Sequence, residues 1–377
     1  MKNNVLVLAV FALLVFLLPL AALFVPAVSG VPAASGTGTA DSLTGTDGTG
    51  AGGAGAADGL TGTGSAGTGA GGVSEALPAA SGSAAQQAAD GTEPPLLIYD
   101  EGVKKVLTVP VRTFVLGAVA AEMPVTWPDE ALKAQAVAAH SYALALAANG
   151  GDAALDGAYF SANPAQRRGY LDSAGMQALW GTSCAANRAK LEALVDSVLG
   201  EVLTYDGAPA TACYHAISSG TTESSEAVWG KALPYLVSVA SPYDLSAPDY
   251  AAELNFSAQE FTDGLYLNGT GVRTAGDPSA WVEAIDTDSA GYVRTITICG
   301  QTITGPAFRK ALGLRSAAFT VAYDRQSGFT ITTHGYGHGV GMSQYGASRM
   351  AAAGSTYREI LALYYPGTQL SAAGAGT

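Results

Sequence analysis

Glu122 lies among small apolar residues, Ala120, Ala121 and Met123, with Trp127 shortly after. Pro124 disfavours helical backbone at Met123, so a helix reaching this point must stop at Glu122. A carboxylate at a helix C-terminus faces unpaired carbonyls of partial negative charge. Apolar neighbours disfavour its ionised form further. Both effects raise a pKa, which is what a general acid needs at neutral pH. A surface glutamate that merely ends a helix is the plainer reading. Trp127 belongs to the core by default, yet is close enough in sequence to border a groove and stack on a sugar ring.

A second cluster is His334-Gly335-Tyr336-Gly337-His338-Gly339-Val340-Gly341. Glycine at every second position opposes a stable helix. The two histidines therefore do not form a helical zinc pair, which needs one helix face. A glycine-rich loop opening into a helix at Met342 offers backbone N–H groups and close approach, suited to an anion or a sugar's polar substituents. A tight structural turn has the same sequence. Cys184, Cys213 and Cys299 form no CxxC and are too few for a disulfide framework. Cys213 and His215 would share a strand face, but no third group orients them. The thiols read either as buried and inert or, in an exported protein, as one Cys184–Cys213 bridge. G-x-S-x-G, Walker and HExxH motifs are absent.

The elements that must carry these residues are mixed. Leu96–Tyr99 and Val103–Val109 flank Asp100-Glu101-Gly102 and predict a hairpin. Val111–Glu122 predicts a helix, with Phe114, Ala118 and Ala121 on one face. Asp129–Asn149 predicts a second, with acids at its start, a stripe of Leu132, Ala136, Ala139 and Ala143, and a Gly150-Gly151 stop. Leu191–Leu199 reads as helix. Val202–Tyr205 and Ala210–His215 flank Asp206-Gly207, a hairpin signal. Strands are expected at Tyr292–Ile298, Phe319–Tyr323 and Phe329–Thr333. Helices are expected over Met342–Ala353 and from Ser355 to Tyr364. Strands mixed with helix pairs argue for an α+β fold.

The chain has 377 residues and a net charge of -13, from 18 basic and 31 acidic side chains. That balance excludes a nucleic-acid binder, which needs a basic face. Val5 to Val28 is apolar and uncharged, and at about 1.5 Å per residue it is long enough for a bilayer core of about 30 Å. Lys2 precedes it and no further Lys or Arg occurs before Lys104, so the remainder is expected on the exported side. Residues 1–28 read as a transmembrane anchor; a cleaved signal peptide, cut near Ser29, is the rival. Residues 29–93 are almost wholly Gly, Ala, Thr and Ser, too poor in apolar area to fold. They read as a disordered tether with a root-mean-square span of about 40–50 Å. Residues 94–370 form the globular part, and 371–377 a disordered tail.

Three motifs in this order resemble the SpoIID/LytB family. They are Val119-Ala-Ala-Glu122-Met-Pro with Glu130-Ala-Leu-Lys133-Ala-Gln135-Ala-Val-Ala-Ala-His140-Ser-Tyr142, then Tyr214-His215-Ala-Ile-Ser218-Ser-Gly220-Thr-Thr222-Glu223 up to Trp229-Gly230, then His334 to Ala347 with Ser343, Gln344 and Tyr345, ending in Tyr364-Tyr365-Pro366-Gly367. An N-terminal anchor fits the family's membrane-anchored branch. The resemblance implies a two-lobed mixed α/β catalytic domain with a groove. It implies a lytic transglycosylase that cuts peptide-free peptidoglycan glycan strands, leaves 1,6-anhydro ends and acts in sporulation engulfment. Glu122 would be the catalytic acid. Lys133, Gln135, His140, Tyr142, His215, Ser218, Thr222, His338, Ser343, Gln344 and Tyr345 would bind substrate. Implied partners are the glycan strands, the membrane through the N-terminal helix, a cell-wall amidase and other sporulation membrane proteins. No cofactor is implied for the reaction.

Two departures stand out. The family usually has Arg where this chain has His140, which would hold an anionic muramyl carboxylate less well at neutral pH. Some members bind zinc through Cys and His residues beginning at the position of His215. Here Thr221, Glu226 and Ala227 stand where the other ligands would fall, and Ala216 replaces a serine, so no zinc is expected. The family's other branch is named for enhancing an amidase, so a non-catalytic wall-binding module is the competing function.

Overall fold

The computed structural model describes residues 93–373. The expected anchor, nearly all of the tether and the last residues of the tail lie outside that range. Among the described residues no helix is long and apolar enough to cross a membrane.

The first hairpin forms as expected: strands β1 (Leu96–Asp100) and β2 (Lys105–Val109) pair antiparallel, Leu96 opposite Val109. Helix α1 (Val111–Glu122) follows, and Met123 leaves it with extended backbone before Pro124. Helix α2 covers Asp129–Ala147. Strand β3 (Phe160–Ala162) adds to β1 in parallel. Helices α3 (Ser173–Trp180) and α4 (Cys184–Val198) precede β4 (Glu201–Tyr205).

The Asp206-Gly207 turn is present, both residues with positive φ (49° and 78°), as a two-residue hairpin turn requires. Its second strand, β5, is only Ala208–Pro209. The expected remainder of that strand goes elsewhere: β6 (Tyr214–His215) pairs in parallel with a strand from the far end of the chain. Next come α5 (Ser225–Trp229), β7 (Ala251–Phe256) and α6 (Ala258–Leu265). Strands β8 (Val282–Thr287), β9 (Val293–Ile298) and β10 (Gln301–Thr304) form an antiparallel sheet. Helix α7 (Gly305–Leu312) leads to β11 (Phe319–Asp324) and β12 (Gly328–His334), which form a sheet with β7. The last elements are β13 (Met342–Ser343), the partner of β6, then α8 (Gln344–Ala352), α9 (Tyr357–Tyr364) and β14 (Gln369–Ala372) beside β4. Helices and several small sheets make a mixed α/β architecture.

Apolar packing gathers in two main clusters. The larger joins α1, α2, α4, α8 and α9 to the β1 sheet. Helix α2 runs through it and is buried almost all round, beyond the single stripe that its larger apolar residues predict. Alanine at eight of its nineteen positions lets four neighbouring helices approach it closely. Phe114 of α1 meets Phe160 of β3 edge to face at 5.5 Å. Burial of one such ring contributes about 1.5–3 kcal/mol. The second cluster is aromatic, with Phe261 stacked on Phe329 at 4.1 Å and Trp281 and Phe308 around them.

Candidate active site

Glu122 ends α1 half-buried against the larger core. Gln344, the first residue of α8, donates from Nε2 to Glu122 Oε2 at 3.2 Å and to Gln135 Oε1 at 3.4 Å. Gln135 projects from α2 and is fully buried. Two consecutive helices thus meet a third from the far end of the chain at one carboxyl. Burial raises its pKa from 4.5 to about 7; the Gln344 hydrogen bond and the charge of Arg167 pull the other way and lose. Desolvation is the dominant cause, where the sequence argument gave equal weight to the helix end. Part of that end is neutralised, because Arg167 Nη2 donates to the carbonyl of Ala121 at 3.0 Å. The Tyr214 and Tyr336 hydroxyls are close enough for the charge of Glu122 to raise both. A carboxyl held near neutrality can give a proton and take one back.

The glycine-rich loop behaves differently from the open cradle expected of it. Its glycines 335, 337, 339 and 341 all have positive φ, so the absence of helix is confirmed. Most of its N–H groups, however, are committed within the protein. Gly335 donates to Tyr250, Tyr336 to Ile217, Gly337 to Arg315 and Met342 to Cys213, all on carbonyl oxygens. Val340 donates to His338 Nδ1 at 3.1 Å. The backbone is pressed against its surroundings: a Cβ on Gly341 would lie 2.0 Å from the Cys213 carbonyl. The loop is a buttress, and the helix that follows is capped by its own Ser343, which accepts from Gly346 N at 3.1 Å.

Several residues expected to bind substrate are structural in the same sense. Ser218 and Ser343 are fully buried and both donate to Asp244, at 2.5 and 2.8 Å. Burial raises the Asp244 carboxyl, opposed by these bonds. Sequence reasoning passed over Asp244 because it stands in an irregular segment without a motif. Thr222 accepts from Val239 N and donates to the Val237 carbonyl. His215 and His338 pack with ring centroids 5.7 Å apart, and Trp229 covers His338 at 5.1 Å. Burial holds His215 down to about 4 and His338 well below its ordinary value, so both rings are neutral at pH 7. His215 Nδ1 is 3.1 Å from the Val340 carbonyl. Tyr142 is buried in the core, and burial raises its hydroxyl. Tyr345, half-exposed, donates from its hydroxyl to the Ser246 carbonyl at 3.3 Å.

His140 is turned to another partner. It lies about 140° around α2 from Gln135 at 100° per residue. Its Nε2 is 2.9 Å from Glu93 Oε2, and the ring is buried. The geometry does not bring it to Glu122. Glu93, which the sequence places at the end of the tether, is thereby tied to the folded part. Lys133 pairs with Glu130 at 2.8 Å and sits 5.9 Å from the Tyr357 ring centroid. The residue beside Glu122 that the sequence did not single out is Arg167, which lies in a loop with no periodic pattern.

All three cysteines are free, so the Cys184–Cys213 bridge is not formed. Burial raises the Cys213 thiol, which makes it inert. No group of three or more His, Cys, Asp or Glu that could hold a metal occurs among the described residues. Thr221, Glu226 and Ala227, where the resemblance would place further zinc ligands, bring no Cys or His.

A raised carboxyl, oriented by the Gln344 amide and sitting beside the Arg167 guanidinium, is a candidate acid–base site on a mixed α/β scaffold. The family model for stage II sporulation protein, SpoIID, matches residues 99–205, which include Glu122, Gln135 and Arg167. Stage II sporulation protein D of Bacillus subtilis is 38% identical over 299 residues, covering 79% of this chain and 84% of that protein. The protein of the same name from Bacillus amyloliquefaciens is 39% identical over 279 residues, covering 73% of this chain and 78% of that protein. The amidase enhancer of Bacillus subtilis is 29% identical over 307 residues, covering 68% of this chain but 40% of that larger protein. The chain belongs to the stage II sporulation protein D family.

Proposed function

We propose that the chain is a peptidoglycan lytic transglycosylase, with Glu122 as its acid and base. The observation that carries this reading is the Glu122 carboxyl, poised near pH 7 and held by Gln344, with no second carboxylate among the groups that act on it. A hydrolytic glycosidase normally uses two carboxylates, one to protonate the leaving oxygen and one to activate water or attack. An internal nucleophile removes the need for the second. Protonated Glu122 gives its proton to the oxygen linking C1 of N-acetylmuramic acid to the next N-acetylglucosamine, and the C1–O bond breaks. The muramyl C6 hydroxyl attacks C1, and its proton passes to the Glu122 carboxylate. The 1,6-anhydro ring closes and Glu122 is again protonated. Gln344 and Gln135 hold the carboxyl in place through both transfers.

The setting of this activity is wall remodelling in sporulation, with the domain outside the cytoplasm on an N-terminal anchor. The relatives' names and the placement of Lys2 before the apolar run support that setting. The amidase enhancer supports a second reading, a wall-binding partner of an amidase without activity of its own. Incubation of the full-length protein in detergent with peptide-free glycan strands separates the two. Mass spectrometry should find muramyl ends lighter by one water than the hydrolysis product. Intact strands would leave the binding role, and ordinary reducing ends would mean a hydrolase.

A further inference from the structure

The loop from Asn163 to Arg168 is built to display one side chain. Asn163 and Arg168 pair with each other through both backbone bonds, at 2.8 and 3.0 Å. The Asn163 side chain also accepts from Gln166 N at 3.2 Å. Arg168 is held by an ion pair with Glu101. Between these anchors Arg167 takes a φ of +56°, a left-handed conformation uncommon outside glycine. Such strain persists where the surrounding structure enforces it, and it concentrates at functional sites.

The enforced outcome is an exposed arginine at the mouth of the acid site. Its side chain donates from Nη2 to Ala121 O, one residue from Glu122. It is also the cation whose charge acts on the Glu122 carboxyl. Lys133 pairs with Glu130 and Arg168 with Glu101, and neither is among the groups acting on Glu122. The remaining guanidinium donors of Arg167 are left for a ligand, in the planar fork that matches a carboxylate.

Resting on the transglycosylase reading, we propose that Arg167 binds the lactyl carboxylate of the muramic acid residue whose glycosidic bond Glu122 protonates. The same contact makes the enzyme selective for glycan without stem peptides. In a peptide-bearing strand that carboxyl is an amide; it carries no charge and cannot accept the fork as an anion. Hydrolysis of the lactyl amide is therefore the class of reaction that must come first.

The test compares the full-length wild type with Arg167→Gln and Arg167→Lys. Two substrates are used: peptide-free strands, and the same strands with lactyl carboxyls converted to methylamides. The wild type should prefer the free acid by about tenfold or more, as for a hydrogen bond between charged groups. Arg167→Gln should raise KM on the free-acid strands by a similar factor, lower kcat much less, and leave both substrates equal. Arg167→Lys should recover part of the preference, because it restores charge without the fork. Strand binding is measured in parallel on a Glu122→Gln background, with and without Arg167→Gln. A wild type indifferent to methylamidation in both assays, or a preference that survives Arg167→Gln, overturns the proposal. Binding that discriminates through Arg167 without any cleavage would uphold it and refute the transglycosylase reading.

Discussion

The end of α1 and the glycine-rich loop His334–Gly341 are equally rich in chemical side chains, and both are packed against the protein. They differ in what their polar atoms are committed to. In the loop the N–H groups of His334, Gly335, Tyr336 and Gly337 bond to carbonyls of neighbouring segments, and buried His338, like His215 beside it, is held neutral. At Glu122 the acceptor is held by an amide that also serves Gln135, and a guanidinium waits alongside. A motif whose backbone is largely tied to neighbouring segments is mainly architecture. A motif with a perturbed carboxyl and unengaged donors can act on something else. The glycine pattern, the more conspicuous of the two in the sequence, belongs to the first kind.

The contrast is tested most severely at Glu122. Replacement by Gln keeps shape but removes the proton, and loss of general acid–base assistance costs ~10²–10⁴ in rate. Glu122→Asp should lose about 100-fold, because a misplacement of ~1 Å suffices for that. Both variants should keep the wild-type circular dichroism spectrum and bind glycan. Near-normal cleavage by Glu122→Gln would move the acid elsewhere.

Gly341→Ala should do the opposite. Its Cβ collides with the Cys213 carbonyl at a φ of +73°, and overpacking with left-handed strain should remove about 2 kcal/mol or more of stability. Activity per folded molecule should change little. A variant with unchanged denaturation midpoint but lost cleavage would show that the loop takes part in chemistry after all.

Gln344→Leu addresses the link between the regions. It removes a hydrogen bond that favours the ionised form, so the Glu122 pKa should rise further. The reaction starts from the protonated acid, so wild-type kcat/KM should fall above about pH 7. In Gln344→Leu that alkaline limb should move to higher pH. Movement in the other direction would mean that the amide does not act on this carboxyl.

The smallest effect concerns stability. The Glu122 pKa is raised on folding from 4.5 to about 7, so the folded state holds the proton more tightly than the unfolded one. Its contribution is fully present below pH 4.5 and is lost as the pH rises through about 7. Glu122→Gln has no such loss. Urea denaturation should find the variant gaining on the wild type across that interval, with a constant difference above it. Parallel curves throughout would mean that Glu122 is not desolvated in solution.

The sequence disclosed local geometry well and long-range partnership poorly. Pro124 fixed the end of α1, and Asp206-Gly207 fixed a turn, because each acts within a few residues. The stripe on α2 was visible but not its burial on the remaining faces, since alanine looks alike whether exposed or packed. The second arm of the hairpin after Gly207 was overextended: Tyr214–His215 finds its partner in Met342–Ser343, a pairing with no local signal. Motif matching brought Gln344 to the site but also Ser218, Ser343 and Thr222, whose hydroxyls support the backbone and Asp244. Arg167 was hidden because a loop residue gains its role only from what lies across from it, here a carbonyl 46 positions earlier.

Gln344 reaches Glu122 across 222 positions of chain. A ribosome adds about 5–20 residues per second, so the acid is made roughly 10–45 s before the amide that orients it. The strand β13 that delivers Gln344 arrives at the same late moment. A nascent or truncated polypeptide ending before this point carries the carboxyl without its setting. The setting of Glu122 is therefore completed only near the end of synthesis.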